Sequence, residues 1–308
     1  MEFGAHLPLI DFGDGTLSLA DMCVYARTAS ELGFTVLSAN DHLLWQRPWL
    51  DGPTVLTSVL DHSEPMAIAT SVALPAVRHP VVVAKWLTTL GCLTDRRIIA
   101  GLGPGSSRAD HRAVGSPFEQ RWARFDEALP VVKALVRGEK PPVGEFYDVA
   151  DVRFDPLPAR VPEVWFGSWG SDRRLRAMAR ESDGWLASGY NTTPAGFTET
   201  RRRLDGHLEA CGRKPATFPD MIVTMWMYVT SDQQEADRLV HDVLAPVLGR
   251  EPDVLSAQLP IGSPEHCVDL LRSYADVGAQ QILLWPIKDP IDQLRAFDEN
   301  VQPHITAG

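Results

Sequence analysis

Strand-like and helix-like segments alternate along almost the entire chain, and this alternation restricts the possible folds more than any other feature. Most strand candidates are nearly continuous apolar runs, which are typical of parallel strands covered on both faces. The amphipathic stretches between them, such as residues 18–33 and 263–278, begin with Ser and end at Gly, as helices commonly do. Eight strands, each followed by a helix, predict a (β/α)8 TIM barrel that forms one domain over residues 1–308. The strand candidates are residues 2–9, 35–40, 66–74, 97–103, 163–168, 184–189, 220–230 and 280–287.

Three longer segments interrupt this rhythm, at residues 43–65, 140–162 and 244–262. The middle segment is rich in proline and is expected to be an irregular excursion rather than a second domain. In a TIM barrel, the loops that leave the carboxyl ends of the strands build the active site. We therefore expect the first and third segments to shape a substrate pocket. Their Trp, Leu and Pro residues favour a small apolar or aromatic organic substrate.

The charge and composition argue against several classes of partner. A net charge of −11 disfavours nucleic acids and anionic membranes. No apolar run approaches the roughly 18 residues of a membrane span, and no signal peptide is evident, so we expect a cytoplasmic protein. The four cysteines lie far apart and the nine histidines form no ligand pair. Neither a disulfide framework nor a metal site is therefore expected.

Charged and aromatic side chains follow the second predicted strand, where Asp41, His42 and Trp45 stand in the stretch "ANDHLLW". A barrel would place them on its catalytic face. There the imidazole of His42 could act as an acid, a base or a donor to a ring carbonyl. Asp41 could orient that imidazole or cap the next segment. The alternative is a salt-bridged corner of the scaffold, because buried charges need partners.

Two glycine-rich loops follow the fourth and fifth predicted strands. The first, "GLGPGSSRADH" (101–111), has the spacing G-x-G-x-G rather than the G-x-G-x-x-G of a dinucleotide-binding fold. It is either a tight βα turn or a loop whose backbone N–H groups face a phosphate or a flat ring, with Ser106 as a hydroxyl donor. The second, "FGSWGSDRRLRAMA" (166–179), places Arg173 and Arg174 in the first turn of a helix. A bound anion would offset this unfavourable position, and so would solvation.

Together these motifs resemble the bacterial luciferase-like superfamily, which comprises flavin- and deazaflavin-dependent oxidoreductases on a (β/α)8 barrel. The resemblance covers nearly the whole chain, and its most specific part lies in residues 70–105. The stretches that carry it are "FGAHLP", "ANDHLLW", "TSVALPAVRHPVVVAKWLTTLGCLTDRRIIAGLGPG", "VWFGSWGSDRRLRAMARESDGWLASG" and "GSPEHCVDLLRSYADVGAQQILLWP".

The resemblance implies a role for specific residues. His42 and Asp41 would lie beside the cofactor ring and the reacting substrate, with Asp41 orienting His42. The peptide bond Ser71–Val72 would be cis and would form a bulge behind the ring. His6, Trp45 and Trp285 would form the wall of the substrate pocket. The ribityl chain and phosphate would contact the two glycine loops, through Gly103, Pro104, Gly105, Ser106, Gly167, Ser168, Trp169 and Gly170.

The superfamily divides into two chemistries. The motifs most resemble the branch that uses the deazaflavin coenzyme F420 and transfers hydride to or from a carbonyl, alcohol, imine or enone. The F420-dependent glucose-6-phosphate dehydrogenases of that branch place a catalytic glutamate where this chain has Ser106, which argues against sugar phosphate oxidation. The alternatives are an FMN-dependent monooxygenase, which needs a separate flavin reductase, and a flavin-binding barrel without catalysis. Membership also implies a homodimer.

Overall fold

The computed structural model describes residues 1–168 and 170–306 and contains nine strands within that part of the chain. They are β1 (Glu2–His6), β2 (Val36–Ala39), β3 (Ala67–Thr70), β4 (Ile98–Leu102), β5 (Glu163–Gly167), β6 (Trp185–Ser188), β7 (Asp220–Val229), β8 (Ile261–Gly262) and β9 (Gln281–Pro286). Strands β1 to β7 pair in chain order, and β9 closes the ring by pairing with β7 and β1. All pairings are parallel, so the predicted (β/α)8 barrel is confirmed. The short β8 only extends the far end of β7.

Helices connect the strands around the outside of the barrel. They are α1 (Leu19–Glu31), α2 (Gly52–Ser58), α3 (Pro75–Arg78), α4 (Pro80–Leu93), α5 (Arg108–Ala113), α6 (Arg121–Val136), α7 (Asp172–Glu181), α8 (Pro194–Ala210), α9 (Gln233–Arg238), α10 (Ala245–Leu248), α11 (Pro252–Gln258), α12 (Pro264–Asp276), α13 (Pro290–Asn300) and α14 (Gln302–Thr306). A π-helical turn, Leu239–Leu244, joins α9 to α10. Within residues 1–168 and 170–306, none of these helices has the length and apolarity to span a membrane.

The predicted elements form with shorter bounds. The expected helices at 18–33 and 263–278 are α1 and α12, whose caps are Ser18 and Ser263. The segment 140–162 contains no helix or strand, as expected of an irregular excursion. The interruptions at 43–65 and 244–262 are not wholly irregular, since they contain α2 and α10 with α11.

Strand side chains alternate between the inside of the barrel and the layer under the helices. An inner apolar cluster includes Ala69, Trp165 and Leu283, whereas a larger cluster fills the space between strands and helices. Because residues two apart share a face, the next inward positions toward the carboxyl ends are Ser71, Gly167 and Trp285. Ser71 and Gly167 border a cavity at this end of the barrel, whereas Trp285 lies outside its lining.

Candidate active site

A cavity of about 470 Å³ opens at the carboxyl ends of β2 to β7. It brings together most of the residues predicted from the sequence to be functional: Asp41, His42, Ser71, Val72, Gly103, Pro104, Gly105, Ser106, Gly167 and Ser168. The expected catalytic face and the expected glycine loops therefore border one common space.

On one wall of the cavity, two glycines lie against the side chain of Val72. A Cβ added at Gly103 would lie 2.7 Å from Cγ2 of Val72, and one added at Gly167 would lie 3.0 Å from its Cγ1. The peptide bond between Ser71 and Val72 is cis, as the family resemblance implied. A residue with a side chain can therefore replace Gly103 only if Val72 moves.

The first glycine loop is held from behind by His111, which is fully buried. Its Nε2 lies 3.1 Å from the carbonyl oxygen of Pro104, and its Nδ1 lies 3.3 Å from the hydroxyl of Ser116. Burial lowers the pKa of His111, which favours the neutral ring. Nε2–H therefore donates to Pro104, and Nδ1 accepts from Ser116. Gly105 turns the loop with a φ of +82°.

His42 is oriented by a carboxylate from another part of the chain. Its Nδ1 lies 2.7 Å from Oδ2 of Asp110, a residue of α5 that is fully buried. The other oxygen, Oδ1, accepts hydrogen bonds from the backbone N–H groups of Leu43 (3.1 Å) and Leu44 (2.7 Å). Because a carboxylate accepts, Nδ1–H donates to Asp110, which leaves Nε2 as the ring nitrogen that can accept or deliver a proton.

The prediction that Asp41 orients His42 is wrong. Asp41 accepts two hydrogen bonds from Nε of Arg78 (2.9 and 2.8 Å) and one from its Nη2 (2.7 Å). It also accepts from the backbone N–H of Leu74 at 3.2 Å. Arg78 pairs with Asp51 as well, so its charge is shared between two carboxylates. Asp41 borders the cavity, but its contacts are those of a buried ion pair that fixes the start of α3.

Two guanidinium groups border the cavity on the side of the glycine loops. Arg174 is buried, pairs with Asp126 and lies 3.9 Å above the ring of Trp122. Arg121 lies 4.0 Å above the ring of Phe118. The neighbouring Arg173 points outward, with 79% of its side chain exposed. Of the two arginines noted in the sequence, Arg174 therefore borders the cavity.

The residues predicted to form the substrate wall do not border this cavity. His6 and Trp285 are buried and stacked, with ring centroids 3.6 Å apart. The ring centroid of Trp45 lies 4.3 Å from that of His42. His42 therefore both borders the cavity and contacts an aromatic ring that is not part of its lining.

The second glycine loop is only partly in the cavity. Gly170 is absent from its lining and packs against α8, where an added Cβ would lie 2.9 Å from Cγ2 of Thr200. Trp169, the remaining predicted cofactor contact, lies outside the described residues. Gly167 and Ser168 are thus the members of this loop that border the cavity.

Several residues in or behind the cavity were not predicted from the sequence. Asp110, Arg121, Tyr190 and Thr224 were not singled out, although all but Asp110 border the cavity. Thr224 has a φ of +57°, which is rare for a β-branched residue and is typical of functional sites. Asp110 stands within the first glycine-rich stretch, three residues after Ser107, where the pattern S-x-x-D is read as a helix cap.

The chain is similar to known proteins over most of its length. The luciferase-like monooxygenase family matches residues 3–281. The F420-dependent glucose-6-phosphate dehydrogenase of Beutenbergia cavernae is 29% identical, and the alignment covers 93% of this chain and 94% of that protein. The F420-dependent hydroxymycolic acid dehydrogenase of Mycobacterium tuberculosis is 22% identical, with 92% and 84% covered.

Solved structures share the fold. An F420-dependent secondary alcohol dehydrogenase in complex with an F420–acetone adduct superposes with a TM-score of 0.83 at 16% identity, over 99% of this chain and 98% of that one. A monooxygenase from Streptomyces bottropensis gives 0.85 at 21% identity, over 99% of both chains. Because the family match covers most of the chain, this protein belongs to the luciferase-like monooxygenase family.

Proposed function

We propose that this protein is an F420-dependent oxidoreductase that transfers hydride between the cofactor and a small organic substrate. One observation carries the proposal: an imidazole held by a buried carboxylate, His42 with Asp110, opens onto a glycine-walled cavity. The names of the relatives support the choice of cofactor, since F420-dependent dehydrogenases align over nearly the whole chain.

The cavity has the features that a flat, anionic cofactor requires. Gly103 and Gly167 lie against Val72 on one wall and add no side chains of their own to the cavity, which leaves room for a ring. Two buried polar atoms that border the cavity, Oγ of Ser71 and Oδ1 of Asn40, have no partner in the protein. A ligand with ring polar groups would satisfy them. Arg121 and Arg174 would hold the negatively charged tail, despite the acidic net charge.

The proposed mechanism assigns proton transfer to His42. When bound, F420 supplies or accepts a hydride at a carbon of its ring. Nε2 of His42 would deliver a proton to the substrate oxygen during carbonyl reduction and remove it during alcohol oxidation. Asp110 would hold the ring orientation and stabilise the charged imidazolium. Ser106, which is exposed at the cavity rim, provides no carboxylic acid for this step.

The proposed substrate is apolar or aromatic rather than a sugar phosphate, as the tryptophans of the 43–65 segment suggest. A second candidate is an FMN-dependent monooxygenase with a separate flavin reductase, because the family is described by that activity and a monooxygenase shares the fold. A homodimer is proposed on the family resemblance alone.

Anaerobic titration with F420, FMN and reduced FMN tests the proposal, with quenching of the intrinsic tryptophan fluorescence as the measurement. We expect tight binding of F420 and weak binding of both flavins. Preference for reduced FMN, together with oxygen uptake in air, would replace the proposal with the monooxygenase. Binding of none of the three would leave the cavity without either function.

A further inference from the structure

Two polar side chains that border the cavity stand at the ends of neighbouring strands. Asn40 directly follows β2, and Ser71 directly follows β3. The parallel register pairs Ala39 with Thr70, and the backbone N–H of Ser71 donates to the carbonyl oxygen of Ala39 at 2.8 Å. Asn40 and Ser71 are therefore the next pair along the two strands, and we call them the polar pair.

Both members of the polar pair occupy inward positions of the barrel. Val36 on β2 and Ala69 on β3 belong to the inner apolar cluster. Since residues two apart in a strand share a face, Asn40 and Ser71 continue these inward rows at the carboxyl ends. Asn40 is 8% exposed and Ser71 is 2% exposed, and both border the cavity of about 470 Å³. A ligand that fills the cavity can therefore contact both side chains.

The polar pair lacks hydrogen-bond partners in the protein. Oδ1 of Asn40 and Oγ of Ser71 are both buried, and neither atom has a partner within residues 1–168 and 170–306. Buried polar groups are rarely left unpaired, because the hydrogen bonds that they lose to water cost free energy. Two such atoms on adjacent strand ends, at one cavity, indicate that a ligand supplies the partners.

A buried amide and a buried hydroxyl away from the cavity both have partners. The amide of Gln293 is 6% exposed, accepts from the backbone N–H of Val229 at 2.6 Å and donates to its carbonyl oxygen at 3.1 Å. The hydroxyl of Ser63, which is fully buried, donates to the carbonyl oxygen of Leu60 at 2.8 Å. These groups hold the scaffold together, whereas the polar pair makes no such contact.

The charges beside the polar pair are already neutralised. Asp41, the residue after Asn40, is paired with Arg78, and Arg78 is shared with Asp51. An anionic group placed against the polar pair would therefore meet a cation that has no charge to spare, and burying it would be costly. The polar pair thus favours an uncharged edge of a ligand.

The chemistry of the two side chains defines that edge. An amide carries an acceptor oxygen beside a donor nitrogen, and a serine hydroxyl both donates and accepts. A cyclic imide presents the complementary row, which is a carbonyl oxygen, an N–H and a second carbonyl oxygen. Its N–H can donate to Oδ1 of Asn40, while its carbonyl oxygens accept from Nδ2 of Asn40 and from the hydroxyl of Ser71. Deazaflavins and flavins both carry such an imide at one end of the ring.

We propose that Asn40 is a specificity-determining residue and that, with Ser71, it binds the cyclic imide edge of the cofactor ring. This inference rests on the proposed function because it requires a ring cofactor in the cavity. It does not depend on whether that ring is a deazaflavin or a flavin, since both carry the imide.

Methylation of the imide nitrogen tests the proposal on the unmodified protein. The probes are the deazaflavin chromophore of F420 without its tail, riboflavin, and the derivative of each that has a methyl group on the imide nitrogen. Anaerobic titration with quenching of tryptophan fluorescence gives the dissociation constants without turnover. We expect methylation to weaken binding by at least about tenfold, because the N–H is lost and Oδ1 of Asn40 stays unpaired.

Asn40→Leu separates a lost hydrogen bond from added bulk. Leucine has nearly the size of asparagine but no polar atoms, so the unmethylated probes should bind about tenfold more weakly and methylation should have little further effect. A methylation effect of undiminished size in this variant would show that bulk is responsible and would overturn the proposal. Ser71→Ala should weaken methylated and unmethylated probes equally, by about threefold, because the hydroxyl binds a carbonyl oxygen.

Thermal stability distinguishes ligand binding from a structural role. Without cofactor, Asn40→Leu and Ser71→Ala should leave the melting temperature unchanged or higher, since neither side chain loses a partner in the protein. Gln293→Met is the matched control, because it removes an amide that is bonded twice to Val229. It should lower the melting temperature and leave every probe affinity unchanged. An equally large drop in Asn40→Leu would assign Asn40 to the scaffold.

The outcomes separate this proposal from the proposed function. Equal affinity for the methylated and unmethylated deazaflavin would overturn the imide site and leave the F420-dependent function intact. Discrimination with riboflavin, without any binding of the deazaflavin, would support the imide site and remove F420. If Asn40→Leu does not fold, methylation on the unmodified protein and the Ser71→Ala variant decide. Binding of no probe would overturn the proposal, and titration with F420 itself then decides the proposed function.

Discussion

The two halves of the barrel mouth differ in the size of equivalent side chains. On β5 the inward residue above Trp165 is Gly167, whereas on β9 the inward residue above Leu283 is Trp285. The mouth is therefore open at the ends of β2 to β7, whereas stacked rings from β7, β9 and β1 fill the remaining half. The same barrel geometry thus leaves a cavity where the inward side chain at the strand end is small, and a packed group of rings where it is large.

The polar atoms of the two halves differ as well. The open half offers backbone amides, hydroxyls and two arginines, which suit an anionic, flat cofactor. The filled half offers neutral ring nitrogens. His42 borders the cavity and also contacts Trp45 and Trp49, and its orientation is fixed by Asp110.

The largest effect is expected from His42→Ala, because it removes the proposed proton donor. Turnover should fall by roughly 10²- to 10⁴-fold, the usual contribution of a general acid or base, while F420 affinity stays unchanged. Steady-state kinetics on a ring substrate and fluorescence titration of F420 measure the two effects. The control is His304→Ala, an exposed residue near the end of the chain. Full activity of His42→Ala would show that His42 has a structural role and does not transfer the proton.

Asp110→Asn should lower turnover by roughly 10- to 100-fold, the effect typical of losing a partner that orients a histidine. The amide keeps the acceptor for Leu43 and Leu44 but no longer stabilises a charged imidazole. Both the pH at which the rate is greatest and the rate at that pH should therefore change. Asp41→Asn is the matched control, since it breaks the pair with Arg78 and should lower stability without moving that profile. The same profile shift in both variants would contradict the assignment.

Gly103→Ala should weaken F420 binding by about tenfold. The new methyl group would collide with Cγ2 of Val72 and displace the Val72 side chain that lines the cavity. Adding Val72→Ala removes the atom it meets and should restore much of the affinity. Gly206→Ala, where nothing lies within 4 Å of the added Cβ, is the control. An unchanged F420 affinity in folded Gly103→Ala would contradict the role of the contact between Gly103 and Val72 in the open half.

The stability of the fold, rather than its activity, should depend on pH through His6. His6 has a pKa lowered from 6.5 to about 3, so the unfolded chain binds the extra proton first as the pH falls. The free energy of unfolding should consequently decrease by about 1.4 kcal/mol per pH unit below 6.5, levelling off near pH 3. Urea unfolding of His6→Gln should lack this contribution, whereas His304→Gln should retain it. If the free energy of unfolding of His6→Gln depended on pH as steeply as that of the unmodified protein, the neutral state assigned to His6 would be contradicted.

Much of the fold was predictable from the sequence because it depends on local patterns. The apolar runs give the barrel strands, and Ser, Pro and Gly mark the ends of α1 and α12. The cis bond at Ser71–Val72 and the residues of the first glycine loop came from the family resemblance. The partner of Asp41 did not, because Arg78 lies 37 positions away and nothing in the sequence joins the two.

A single local motif shows where the sequence stops being sufficient. Ser18 and Asp21 have the S-x-x-D spacing, and Asp21 accepts a hydrogen bond from the backbone N–H of Ser18 at 3.0 Å, which completes a capping box. Ser107 and Asp110 have the same spacing, and Ser107 caps α5 in the same way. The carboxylate of Asp110, however, does not bond back to the N–H of Ser107. It accepts hydrogen bonds from Nδ1–H of His42 and from the backbone N–H groups of Leu43 and Leu44.

The sequence by itself therefore determined the barrel, the glycine loops and the position of His42 at a strand end. The tertiary structure alone decided which carboxylate orients His42 and which inward positions are open or filled. The physical reason is that caps and periodicity act over a few residues, whereas a buried carboxylate bonds to whatever donors the fold brings near. Asp21 is exposed at a helix end and meets only its own cap, while Asp110 is fully buried against the chain 66 to 68 positions away.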